Sequence, residues 1–326
     1  MLYRFKKKDV LPTASLYLKD AMKDFALTRK ESEIPGTIYQ AGEETVVVRY
    51  ATFKDLKSIR HPFVYMVDDD LPSICDDVNL PDEYRRRISE FVEGPWGDIV
   101  VSASEVVVSN SLLADFYSGR GCKTVRLDPY WSDLKSQPKE RTPGRRIRVG
   151  WLASRAHLND LELILGEVKS VFNNIDNIDF TIFSGKHATD SLQSIYCLRN
   201  LKPLPWQKYR RWIRNNELDI VIHPLLDTPV NRARSVSKLI EIACVGGVPL
   251  ISACPPWNEV LGDKSEFLVN PSDWGSRLAE LIASPDKRIQ LADNAHRTAR
   301  QINEAAREAQ IRYWSDRFKH IAPGLR

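Results

Sequence analysis

One run, Asp219–Ser252, constrains this chain more than any other. Asp219-Ile-Val-Ile-His223 is an apolar segment of strand length. A polar loop follows, then Ser235–Val245 with apolar residues at helical spacing, a Gly246-Gly247 turn, and a second apolar strand, Val248–Ser252. Two buried strands joined by a helix form a parallel pair, which commits this part of the chain to an α/β sheet covered on both faces. In such sheets ligands bind beyond the carboxyl ends of the strands, where helix N-termini turn free N–H groups toward anions.

The same alternation recurs on either side. In the first half, strands are expected at Thr45–Tyr50, Phe63–Val67, Ile99–Val101, Val106–Val108 and Thr124–Leu127, and helices at Phe53–Ile59, Tyr84–Val92 and Leu112–Tyr117. Ser132–Arg146, rich in proline and basic residues and almost free of apolar ones, reads as a linker. Beyond it come strand Ile147–Leu152, helix Leu158–Phe172, strand Phe180–Phe183 and helix Trp206–Asn215, leading into the 219–252 segment. Asp286–Lys319 lacks glycine and proline and is expected to form one or two long helices. At 326 residues the chain exceeds a usual single core. The expected fold class is therefore α/β, with two Rossmann-like domains of parallel strands. Residues 1–140 would form the first, 147–300 the second, and 301–326 a helix returning toward the first.

Composition narrows the function classes. A net charge of +4 is too small for a nucleic-acid-binding surface, so no nucleic-acid partner is expected. Basic clusters stand at Lys6-Lys7-Lys8, Arg85-Arg86-Arg87, Arg145-Arg146 and Lys208–Arg214. The last interleaves with Trp206, Tyr209 and Trp212, which leaves open a peripheral membrane contact beside the plainer reading of a solvated helix with buried tryptophans. Five cysteines, widely spaced and without a CxxC, argue against zinc sites and disulfides. The N-terminal residues lack an apolar leader core and no stretch reaches bilayer-spanning length, so a cytoplasmic protein is expected, with the inner membrane face open to it.

Several residues at the strand ends carry candidate chemistry. Asn231, Arg234 and Ser235 lie where the loop after Asp219–His223 enters the following helix and would meet a pyrophosphate. Arg234, Lys238 and Glu241, spaced i, i+4 and i+7, would share a helical face, as a ligand site or as a solvated salt bridge. His223, ahead of Pro224, ends a buried strand and could bond a phosphate or simply pack. Asp68-Asp69-Asp70 follows another buried strand. Such a run is tolerable in water, beside cations, or where a raised pKa is useful, and Asp69 or Asp70 could serve as general base, cap a turn or place an acceptor. Ser109 reads as a helix N-cap and Asp160 as a first-turn residue complementing the helix dipole.

Asn231-Arg-Ala-Arg234-Ser235-x-x-Lys238-x-x-Glu241, followed by Gly247-Val-Pro-Leu-Ile-Ser252, resembles the donor-site helix of family 4 glycosyltransferases of the GT-B fold. Val149-Gly-Trp-Leu-Ala-Ser154-Arg155-Ala-His157 resembles the first strand and loop of the same domain. The resemblance implies a nucleotide-sugar donor near Ser154, Arg155 and His157 and a ribose or sugar contact from Glu241. It further implies a sugar transferred to a glycan, lipid-linked or protein acceptor in bacterial surface polysaccharide or glycolipid assembly. No metal and no cofactor are expected, the nucleotide sugar being a substrate. Many members carry a second glutamate where this chain has Ala233, so retention of configuration is not implied. His223-Pro224 is similar to the His-Pro of certain inverting CMP-sugar transferases. Ala233 and a short first domain also suit a scaffold that has lost catalysis.

Overall fold

The computed structural model describes residues 10–138, 145–263 and 265–319. The Lys6-Lys7-Lys8 cluster, the middle of the expected linker and residues 320–326 lie outside them. Two six-stranded sheets organise the molecule. The first contains β1 (Thr28–Arg29), β2 (Ile38–Ala41), β3 (Glu44–Val48), β4 (Phe63–Val67), β5 (Ala103–Val108) and β6 (Thr124–Arg126), in that spatial order. β1 to β3 pair antiparallel and β3 to β6 parallel.

Sequential order has a consequence for packing. Right-handed crossovers that all step the same way place their helices on one face of the sheet. That face carries Val47, Tyr65, Val67, Val106 and Val108, covered by Leu56, Ile74, Ile88, Ile99 and Tyr117 from the connecting helices. β4 is nevertheless buried at every residue, so the opposite face needs a separate cover. It receives one from both ends of the chain. Leu11, Ala14 and Tyr17 pack there with Trp314 and Phe318 against Val46, Val48, Val64, Met66 and Val107.

Trp314 and Phe318 belong to one helix, Pro285–Phe318, which starts in the second core with Leu291, Ala292 and Ala295 and ends on the first sheet. There Trp314 Nε1 donates to the Tyr17 carbonyl at 2.9 Å, and Arg317 pairs with Glu44 at 2.9 Å.

The second sheet holds β7 (Ile147–Trp151), β8 (Ile178–Ile182), β9 (Leu198–Asn200), β10 (Ile220–His223), β11 (Val248–Ser252) and β12 (Leu268–Val269). All its pairs are parallel, in the order β9-β8-β7-β10-β11-β12. The chain winds outward from β7 in one direction, returns, and winds outward from β10 in the other. Helices therefore cover both faces, and the order reverses between β7 and β10.

Three local expectations are corrected. Ile99–Val101 is helical within Gly97–Ser102, not a strand. Gly97 opens that helix, and Ile99 and Val100 are buried while Val101 is 86% exposed, a helical burial pattern. The single helix expected over Leu158–Phe172 is two, Leu158–Glu162 and Leu165–Phe172. The N-cap of Ser111–Ser118 is Asn110, whose Oδ1 accepts from Leu113 N at 2.9 Å, not Ser109.

The aromatic-basic helix Trp206–Asn215 forms as expected, but its rings face the interior. Trp206 meets Trp131 at 5.3 Å, while Tyr209 and Trp212 flank Phe183 at 5.4 and 4.9 Å. Arg210 is buried against Asp133. That leaves the lysine and arginine side of the helix exposed without the aromatics a lipid interface would use. Among the described residues, no helix is long and apolar enough to cross a membrane.

Candidate functional site

The reversal between β7 and β10 is where an open α/β sheet forms a crevice, and the side chains at these two carboxyl ends converge there. β10 ends in His223, buried, with its ring edge-on to Trp257 at 5.9 Å. Burial pushes the His223 pKa well below its ordinary value, and Lys238, His157 and Arg234 push it further. The ring is accordingly neutral at pH 7.

The helix Ser237–Val245 points its N-terminus into this crevice and ends on Gly246, whose φ of 77° is the left-handed conformation a helix stop needs. Lys238, in its first turn, pairs with Glu241 at 2.6 Å and donates to the Leu152 carbonyl at the end of the β7 segment. Glu241 is buried and also accepts from the Tyr209 hydroxyl, whose pKa burial and Glu241 raise well above normal.

Arg234 departs from expectation. It precedes the helix, on the turn after a single helical turn Pro229–Arg232, and so does not share a helical face with Lys238 and Glu241. From that turn it reaches the other sheet, where Nη1 lies 3.0 Å from Asp69 Oδ1. The second oxygen of Asp69 is taken by Arg49, which also lies 3.3 Å from Asp68. Burial opposes ionisation of Asp69, but Arg49 and Arg234 outweigh it and hold its pKa below the ordinary carboxylate value. Burial raises Asp68, with Arg49 opposing; Thr13 Oγ1 donates to both its oxygens, at 3.0 and 2.9 Å.

Asp70 is used locally. It caps the helix Leu71–Asp76, accepting from Ser73 N at 3.1 Å and from Ser73 Oγ at 2.6 Å. Of the two carboxylates expected as a base, one is held between two guanidinium groups and the other is a cap.

Asn231 is also committed. Its Nδ2 donates to Asp160 at 2.9 Å and to the Leu226 carbonyl at 3.0 Å. His157 Nδ1 lies 2.7 Å from the other Asp160 oxygen, and burial with Arg234 lowers its pKa. Arg155 is taken by Glu83 of the first domain, at 3.2 Å, and by His187, at 3.3 Å. Ser154 is exposed, and Ser235 Oγ accepts only a long bond of 3.4 Å from Ser237 N.

The structure thus gathers Arg234, Lys238, Glu241, His157 and His223, places Asn231 behind them as a partner of Asp160, and leaves Ser154 and Arg155 out of the inner cluster. Sequence reading missed Arg49 and Asp160. Arg49 sits at the end of the Thr45–Tyr50 run with a φ of 62°, its backbone held by Met66 O and the Tyr65 hydroxyl. An arginine closing a run of buried valines was the available signal for it. Asp160 gave no signal beyond its place in a first helical turn.

Other bonds tie the two edges together. Asn110 Nδ2 donates to the Ala233 carbonyl at 2.6 Å, Trp131 Nε1 to Ser237 Oγ at 2.7 Å, and Asn159 Nδ2 to the Asn79 carbonyl at 2.7 Å. In the short helix Trp257–Leu261 after β11, Trp257 is fully buried and Glu259 lies 3.6 Å from Arg126.

No protein-family model and no curated protein matches the chain by sequence. Among solved structures it is similar to a point mutant of S. aureus TarM in complex with fondaparinux, alpha-GlcNAc-glycerol and UDP. That match has a TM-score of 0.58 and 11% identity, over 84% of this chain and 55% of that one. It is also similar to the pneumococcal O-GlcNAc transferase GtfA in complex with UDP and GlcNAc, with a TM-score of 0.51 and 10% identity, over 90% of this chain and 64% of that one. The chain spans a little over half the length of TarM. At these identities the likeness establishes the fold: two Rossmann-like domains in the GT-B arrangement, with the last helix packed back on the first.

Proposed function

We propose that the chain is a glycosyltransferase that takes its sugar from a nucleotide donor bound at the β7–β10 reversal and passes it to an acceptor hydroxyl. One observation carries the reading. Arg234, Lys238 and the N-terminus of Ser237–Val245 converge on the topological switch point beside two histidines held neutral by burial. Cationic groups preorganised around one point suit a diphosphate leaving group, whose charge grows as the sugar departs.

In this reading Arg234 exchanges the Asp69 carboxylate for phosphate oxygens, and Lys238 with Glu241 meets the ribose or sugar hydroxyls. The leaving-group charge is met by side chains, so turnover is expected to persist in excess chelator. The TarM and GtfA complexes with UDP put uridine donors first in order of test. A glycan, lipid-linked or protein acceptor in surface polysaccharide or glycolipid assembly fits the same arrangement.

A second reading has its own observation. The cations of the site are already paired within the chain, Arg234 with Asp69 and Lys238 with Glu241, as a catalytically silent scaffold would allow. Calorimetry with UDP, GDP, CMP and dTDP separates the two. A donor site binds one of them and gains thermal stability by mass action, by about 2.7 kcal/mol at a hundredfold excess over Kd. Failure of all four to bind would end the transferase reading.

A further inference from the structure

Asp160 sits 4% exposed at the head of Leu158–Glu162, and both of its oxygens are occupied. Oδ1 accepts from Leu226 N at 2.8 Å and from Asn231 Nδ2 at 2.9 Å, and Oδ2 lies 2.7 Å from His157 Nδ1. A carboxylate that accepts from a backbone N–H and an amide is fixed in place, and towards the ring it can only accept. His157 Nδ1 therefore carries the proton, and Nε2 carries the lone pair. Nε2 has no hydrogen-bond partner among the described residues.

We infer that His157, positioned by Asp160, is the general base of this site, accepting the acceptor's proton on Nε2 during sugar transfer. The inference rests on the transferase reading above. It fills the gap left by Asp69, clamped between two arginines, and by Asp70, used as a cap. As the acceptor oxygen forms its bond to the anomeric carbon, the bond from that carbon to the diphosphate oxygen breaks. The hydroxyl proton passes to Nε2, and the diphosphate leaves with the electron pair against Arg234 and Lys238. The imidazolium formed is balanced by Asp160. The class of substrate at Nε2 is accordingly a hydroxyl donor, since a lone pair repels a phosphate oxygen.

The charged and titratable groups facing His157 are Arg234 and Lys238 from the turn and helix after β10, Asp160 from its own segment, His223 from β10, and Asp69 from the first sheet. Burial and the two cations favour the neutral ring, the form a base requires at pH 7.

The tautomer is readable without turnover. In 15N imidazole spectra of the full chain we expect His157 protonated on Nδ1, and protonated on Nε2 once Asp160→Asn offers an amide donor to Nδ1. A wild-type ring protonated on Nε2 overturns the inference. For turnover, release of nucleotide from UDP-glucose, UDP-N-acetylglucosamine, GDP-mannose and a CMP-sugar is followed together with binding of the free nucleotides. His157→Gln is expected to keep nucleotide affinity within threefold and to lose at least about a hundredfold in kcat, the usual worth of a general base. Turnover surviving His157→Gln within threefold defeats the base assignment and leaves the transferase reading standing. A wild-type chain that binds none of the nucleotides defeats both.

Discussion

The two sheets have the same number of strands but different windings, sequential in the first and doubly wound in the second, and the difference sets what each can do. In the first, β3 to β6 succeed one another in order, so no crevice opens between diverging crossovers, and the spare face is closed by helices from both termini. Its carboxyl edge carries Asp68, Asp69 and Asp70, two neutralised by Arg49 and one spent on a cap. In the second, the order reverses between β7 and β10, and the groups at the reversal include His157, whose Nδ1 is held by Asp160 while its Nε2 has no partner among the described residues. The first edge is a finished electrostatic structure. The second keeps capacity for a ligand.

The largest expected effect breaks the first half of that comparison. Trp314 is 1% exposed, and its helix supplies the cover that sequential winding denies to the first sheet. Trp314→Ala is expected to cost about 3–5 kcal/mol, from lost burial, the cavity left behind and an unpartnered Tyr17 carbonyl. Chemical denaturation checks this, and a loss under about 1 kcal/mol would mean that the first sheet is covered some other way.

Next in size is the pair that joins the edges. Arg49→Met leaves Asp68 and Asp69 adjacent with only Arg234 opposite, and about 3 kcal/mol of stability should go with it. Arg234→Met leaves Asp69 its Arg49 partner, so stability should fall less. Nucleotide affinity should fall about ten- to a hundredfold, the worth of a charge-assisted bond. Equal stability losses without any change in affinity would make Arg234 a strut rather than a ligand.

Much of this arrangement was legible in sequence because the signals were local. Apolar runs bounded by turns gave β4 and β11 to the residue, and the Gly246-Gly247 stop gave the end of the helix Ser237–Val245. What was not legible depended on partners distant in the chain. Asp69 reads as a base candidate until Arg234, from the other sheet, is known to lie 3.0 Å away. Asp160 looks like a dipole residue until Leu226 N and Asn231 close on it. Trp206 and Tyr209 look interfacial until Trp131 and Phe183 are seen beneath them. Val101 misled for the opposite reason, since Ile99–Val101 is too short for periodicity to separate strand from helix.

The two edges should also titrate in different pH windows. His223 and His157 are held neutral in the fold, below the ordinary histidine value near 6.5 that the unfolded chain regains. The unfolded state then binds more protons, so stability is full above about pH 6.5 and falls as the pH drops from there toward the depressed folded values. Asp69 is shifted down, and its contribution is lost only as the pH falls below about 4. His223→Gln should therefore flatten the wild-type loss between about pH 6.5 and 5 and leave the limb below about pH 4 unchanged. The flattening should amount to about 1.4 kcal/mol for every tenfold difference in proton affinity between the folded and unfolded ring. An unchanged slope between about pH 6.5 and 5 would show that His223 titrates as an exposed group.

The smallest expected effect isolates Asp70. If its carboxylate serves only to cap Leu71–Asp76 through Ser73 N, the physical requirement is a side-chain acceptor, not a charge or a proton-accepting group. Asp70→Asn should then match the wild type in both denaturation midpoint and turnover, because asparagine caps as well as aspartate. Asp70→Ala should lose about 1 kcal/mol with the same turnover once folded. A general base behaves in the opposite way, since Asn preserves the shape and removes the basicity. Loss of turnover in Asp70→Asn with stability intact would return the catalytic role to the first sheet and undo the division of labour between the two edges.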